Sequence, residues 1–210
     1  MTSTAPSHFR EAWRAFKSHP RVFIVSTLLL VLSWVALELA VVALYRLGFS
    51  VWLLLHLAFF FFSSGLLLGL LRMTQRALDR ETPKASDLTA LLRRGPSFLL
   101  AFSIYSVAVI TGLVLLIVPG IYVAVRYALF GHVLAAKSVS AIESLREAAA
   151  LSSAKWTAIG TVVILGLLLN LAGAALLGLG LLISFPVSLL AMSDLYRSLR
   201  PMRPATTLPE

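Results

Sequence analysis

The sequence predicts an all-α polytopic membrane protein, with six transmembrane helices arranged as three hairpins, each preceded by an interfacial amphipathic helix. Three observations predict it. Of 210 residues, 59% are apolar and only 13% charged, too little polar surface to clothe a water-soluble globule. Six apolar runs, at 22–45, 51–71, 97–118, 121–136, 156–177 and 179–196, are mostly long enough to span a bilayer. Sixteen of the eighteen lysines and arginines fall in four stretches, 10–21, 72–94, 137–155 and 197–203. The other gaps between runs, 46–50, the Pro119-Gly120 pair and Gly178, hold a single charged residue, Arg46. Basic segments resist translocation, so both termini and the basic connections are expected in the cytoplasm.

The first amphipathic stretch is 7–18, where Phe9, Trp13 and Phe16 recur at helical spacing against Arg10, Arg14 and Lys17. An aromatic stripe opposed by cations suits a helix lying among headgroups. The apolar run that follows is long, mostly polar residues precede it, and no small-residue cleavage site follows, so it is expected to stay as an anchor. The second stretch, 87–94, sets Leu88, Leu91 and Leu92 against Arg93 and Arg94. The third, 140–153, opens with Ser140-Ala-Ile-Glu143, the spacing of a capping box. Its face is expected to be Ile142, Leu145, Ala149 and Ser152. Each stretch leads through a joint into a span: Pro20-Arg21 before Phe23, Gly95-Pro96 before Phe98, and Lys155 before Trp156. Either three parallel repeats or the general amphipathicity of cytoplasmic loops accounts for this recurrence. The region 1–200 reads as one domain, and 201–210 as a disordered tail.

Pro119-Gly120 reads as the turn between spans three and four, proline stopping one helix and glycine tolerating positive φ. The fourth run is short and carries Arg126 and His132, so it is expected inside the bundle with local bilayer thinning. Tyr45, Trp52 and Tyr122 are expected at the outer interface, Trp156 and Tyr196 at the inner. Gly65 and Gly69 form a GxxxG, and Gly166 and Gly173 add small residues to span five. Such residues let helices approach closely, within the chain rather than as a dimer seam. Pro186 is expected to kink span six.

An ionisable group within a span costs several kcal/mol, on the order of 3, unless paired or hydrated. Counting from the loops, Glu38 and Arg126 each lie roughly 9–11 Å below the outer boundary. His56 falls at a similar level, and Asn170 about 12 Å down. The four are expected to form one polar layer centred on a Glu38–Arg126 pair. The layer either fixes helix register or lines a hydrated site for an ion, proton or anionic headgroup.

The excess of 18 basic over 9 acidic residues, a formal charge of +9, is sorted to one membrane face. It therefore points to membrane lipids, in particular anionic headgroups, and not to nucleic acid. No cysteine is present, which excludes disulfides and thiol nucleophiles. Zinc, nucleophile-elbow and Walker motifs are missing from the sequence. The four histidines are scattered, so no catalytic residue, metal or cofactor is expected. Nothing in the sequence specifies a protein partner or an oligomeric state.

The run from Val118-Pro119-Gly120-Ile121-Tyr122 to Val125-Arg126-Tyr127 carries a family resemblance. With Ser140-Ala-Ile-Glu-Ser-Leu-Arg-Glu-Ala, Lys155-Trp156, the opening Glu11-Ala-Trp-Arg-Ala-Phe-Lys and the closing Leu195-Tyr-Arg-Ser-Leu-Arg200, it resembles a bacterial six-span inner-membrane family. That family includes the membrane domain of glycerophosphoryl diester phosphodiesterases and YciC-like proteins. The resemblance implies a multi-pass protein of the bacterial cytoplasmic membrane, with Arg126 and Pro119-Gly120 in its scaffold and without the soluble catalytic barrel. The expected function is a non-enzymatic scaffold or accessory in envelope or lipid processes. The alternative is a small transporter or channel using the polar layer.

Overall fold

The computed structural model describes residues 4–44, 48–176 and 178–200, and among these the regular structure is entirely helical. The helices are α1 (Ala5–Ser18), α2 (Pro20–Leu44), α3 (Phe49–Leu78), α4 (Gly95–Leu115), α5 (Ile117–Tyr127), α6 (Phe130–Ala136), α7 (Ala141–Ala175) and α8 (Leu181–Leu199). Among the described residues five stretches are long and apolar enough to cross a membrane: Pro20–Leu44, Phe49–Leu78, Ala85–Leu115, Ile117–Ala136 and Lys155–Ala175. The sixth run, α8, does not join them. Four serines, Pro186, Asp194 and Arg197 dilute its apolar character, and it is instead packed against α1, α2, α3 and α7. Pro186 lies buried inside α8. The tail 201–210 and the expected outer marker Tyr45 lie outside the described residues.

Local chemistry accounts for the helix ends. Pro20 opens α2, where its missing N–H is no loss. Gly48, at φ +95°, leads the chain into α3 through a conformation that side chains disfavour. At the end of α3 the Glu81 and Arg80 amides bond back to the Arg76 and Ala77 carbonyls, and Arg80 adopts φ +61° where glycine is usual. The predicted capping box is present: the Glu143 amide donates to Ser140 Oγ (3.3 Å) and the Ser140 amide to the Glu143 carboxylate (2.9 Å). Hydrogen bonds from the Ser140 backbone and hydroxyl hold the Glu143 carboxyl below the usual carboxylate range.

The amphipathic stretches pack against the chain itself. α1 is docked on protein, mainly α8. Its buried residues are Ala5, His8, Ala12 and Phe16, so the contact face is rotated from the predicted stripe and Trp13 stays 42% exposed. The stretch 87–94 is not one continuous helix. It is part of two 3₁₀ turns, Ala85–Leu88 and Leu92–Arg94, laid along α3. The third stretch runs on into the fifth span as α7, bent where Lys155 leaves helical geometry (φ −142°, ψ 37°). Leu145, Ala149 and Ser152 are buried as expected. Ile142 is 59% exposed, and Ala141, Ser144 and Ala148 complete the buried face.

Pro119-Gly120 does not form the turn between α4 and α5. The chain reverses at one extended residue, Leu116 (φ −159°, ψ 133°), and Pro119 and Gly120 sit in the first turn of α5. The role of Gly120 is proximity. A Cβ there would come 2.5 Å from the Leu113 backbone nitrogen, and one on Gly112 would come 2.8 Å from Gly120 Cα. The predicted fourth span is itself two helices, broken at Ala128 and Leu129.

The GxxxG also serves the chain's own packing, but against a loop and not a helix. A Cβ on Gly69 would overlap the Leu88 carbonyl, and one on Gly65 would lie 2.8 Å from Leu92 Cα. Gly173 meets Gly180 backbone to backbone where α7 turns into α8, whereas Gly166 has ordinary clearance, 3.5 Å, to Ser188.

The core is concentrated near the basic connections. Phe23, Leu68, Met73, Leu129, Leu134, Leu190 and Tyr196 are almost fully buried there. By contrast α4 and the far half of α2 present mostly exposed apolar side chains, as a lipid-facing surface does.

Candidate functional site

The expected polar layer is not assembled. Glu38 is exposed on α2 and Arg126 half-buried on α5; α2 packs on α3 and α8, and α5 on α4 and α7. Among the described residues neither forms an ion pair within 4.0 Å. Arg126 Nη1 instead donates to the Tyr122 hydroxyl (2.5 Å), with the guanidinium 5.6 Å from that ring. His56 Nδ1 donates to the Trp52 carbonyl one turn back (2.9 Å), its ring against the indole at 4.3 Å. Asn170 Oδ1 is buried with no hydrogen-bond partner. The pairing fails because α2 and α5 belong to different hairpins, which equal depth along a run does not bring together.

Three aromatic markers also depart from the expected positions. Tyr122 and Trp156, expected at opposite interfaces, stack at 6.4 Å. Tyr196, expected at the inner interface, is 1% exposed and lies 6.0 Å from the His132 ring.

Polar chemistry gathers instead at the basic end, where it ties helices together. His8 Nδ1 meets Asp194 Oδ2 at 2.7 Å, joining α1 to α8, and Arg197 Nη2 donates to the other Asp194 oxygen (2.9 Å). Arg197 also donates to the Leu78 carbonyl. The Thr74 and Ser193 hydroxyls share a buried hydrogen bond of 2.7 Å. Gln75 Nε2 donates to the His132 carbonyl (2.9 Å). Arg76 pairs with Asp87 at 2.5 Å and Glu81 at 2.8 Å, pinning the 3₁₀ segment under α3. Arg94 donates to the Lys137 carbonyl (3.1 Å) and to Ser138. Among the described residues no three of His, Asp and Glu converge as a metal site does.

Two concavities stand out among the described residues. One, of about 500 Å³, lies among α2, α3, α4 and α8 and is almost wholly apolar, walled by Trp34, Phe60, Phe98 and Phe185. Thr27 lines it, but its hydroxyl is buried without a partner. The other, of about 540 Å³, lies among α4, α5 and the first part of α7, lined by Tyr105, Arg126, Tyr127, Leu145, Arg146 and Ala149 among others. Tyr105 is held there by donating its hydroxyl proton to the Ala124 carbonyl (3.2 Å). Ala108, Ala149 and Ala150 leave the space open.

This second pocket is the candidate site, because it gathers two guanidinium groups that form no ion pair among the described residues. Arg126 was legible as an intramembrane cation. Arg146 was not singled out, although it stands one residue after Leu145 on the helix that the capping box begins. Comparison with protein-family models, curated proteins and solved structures finds no match for this chain.

Proposed function

We propose that this chain is a multi-pass protein of a bacterial cytoplasmic membrane, akin to the six-span family it resembles, with both termini on the cytoplasmic side. It acts as a non-enzymatic scaffold or accessory in envelope or lipid processes. Six helices traverse the bilayer, α8 shielded by its neighbours, and the basic connections meet anionic headgroups at the inner leaflet. The observation that carries the reading is the division of the molecule into an exposed apolar belt and a polar, hydrogen-bonded end made of the basic connections. Each cation near an anionic surface gains about 1 kcal/mol. The transporter alternative needs the Glu38 layer as a path, and these four residues are dispersed.

The absence of cysteine makes single-cysteine labelling a clean test. Ser50→Cys is expected to react with an impermeant maleimide in intact cells, and Ser7→Cys, Ser86→Cys and Ser138→Cys only after permeabilisation. Labelling of Ser7→Cys from outside sinks the topology. Solute flux through the purified chain in liposomes sinks the scaffold role.

A further inference from the structure

We infer that Arg126 and Arg146 together hold the phosphate of an anionic phospholipid in the pocket between α4, α5 and α7, an inference that rests on the membrane reading above. Arg126 belongs to a stretch apolar enough to cross a membrane, Ile117–Ala136. A guanidinium at that position needs an anion or water, yet its nearest polar partner is the neutral Tyr122 hydroxyl. Glu147 is paired with Lys137 at 2.6 Å, and Glu143, hydrogen-bonded by Ser140, attracts Arg146 only at longer range, outside ion-pair distance. Two cations therefore face one pocket whose lining contains no carboxylate.

The depth of the pocket favours a lipid over a soluble anion. From Ile117 to Arg126 is nine residues, about 14 Å along a helix, half of a roughly 30 Å hydrocarbon core. The charged first turns of α7 share the pocket with Arg126, so a lipid whose phosphate reaches Arg146 reaches Arg126 as well. The hairpin's tip, from Val114 to Val118, is apolar and 68–79% exposed, which suits contact with lipid at the far interface. A phosphodiester between two guanidiniums accepts charge-assisted hydrogen bonds from both. A volume of about 540 Å³ has room for a headgroup and the first acyl carbons, while exposed Ile104 and Val107 continue an apolar path along α4.

The test is native mass spectrometry of the full chain, released from micelles containing phosphatidylglycerol or phosphatidylcholine. Retention of one phosphatidylglycerol is expected. Arg126→Gln and Arg146→Gln should each weaken it about ten-fold, the loss of one charge-assisted hydrogen bond, and Arg14→Gln, an exposed residue of α1, should not. Arg126→Lys and Arg146→Lys, which keep the charge, should show intermediate retention even where a glutamine variant folds poorly. Equal retention by all variants overturns the proposal, as does complete displacement of the lipid by excess inorganic phosphate, which marks a free-anion site. Alkaline extraction separates the two failures: release from membranes overturns the membrane reading, whereas a chain that stays embedded with unchanged lipid retention overturns only this inference.

Discussion

Asp194 illustrates how much one side chain decides. It sits near the end of α8 and receives both the His8 ring and the Arg197 guanidinium, so it binds the first helix to the last. His8 is 2% exposed, and a buried polar group that loses its partner costs about 1–3 kcal/mol. Asp194→Ala is accordingly expected to lower stability by about that amount. Thermal unfolding in detergent reads the loss, and faster proteolysis within α1 shows where it falls. Glu143 works over a shorter distance, and its depressed carboxyl means that the cap at the start of α7 persists until the pH falls into the acid range.

Helices here meet through small residues as much as through large ones. Gly65 and Gly69 admit the backbone of the 85–94 segment against α3, and Gly112 and Gly120 admit α5 against α4. Overpacking such a contact forces backbone shifts costing about 1–3 kcal/mol. Gly69→Ala is therefore expected to destabilise the fold by that amount and loosen the 3₁₀ segment. Gly166→Ala, with room for its methyl, should be neutral or gain up to about 1 kcal/mol from helix propensity. Thermal unfolding of both variants in detergent distinguishes these cases. If the two alanines behave alike, the contact at Leu88 does not determine the packing. The GxxxG pattern was legible in the sequence; its partner was not, because the motif specifies a smooth surface and not what lies on it.

Across the molecule, the basic end is where the chain is closed by contacts between its extremities. α1 packs on α8 with Ala12 and Phe16 buried, and losing a buried phenylalanine side chain alone costs about 3–5 kcal/mol. Deleting residues 1–18 should thus sharply lower the yield of monodisperse protein in detergent. A helix that merely rested on lipid would be dispensable for that measurement. Sequence by itself determined the helical class, the sites of the apolar stretches, the capping box at Ser140 and Glu143, and the gathering of cations at one end. These follow from composition, periodicity and short spacings, all of which act between near neighbours. Only the tertiary structure decided that α8 is enclosed by other helices, that Leu116 and not Pro119-Gly120 makes the turn, and that Arg126 shares a pocket with Arg146 and not a bond with Glu38. Those outcomes depend on which hairpins pack together and at what rotation, and residues as distant as His8 and Asp194 carry no local signal of meeting.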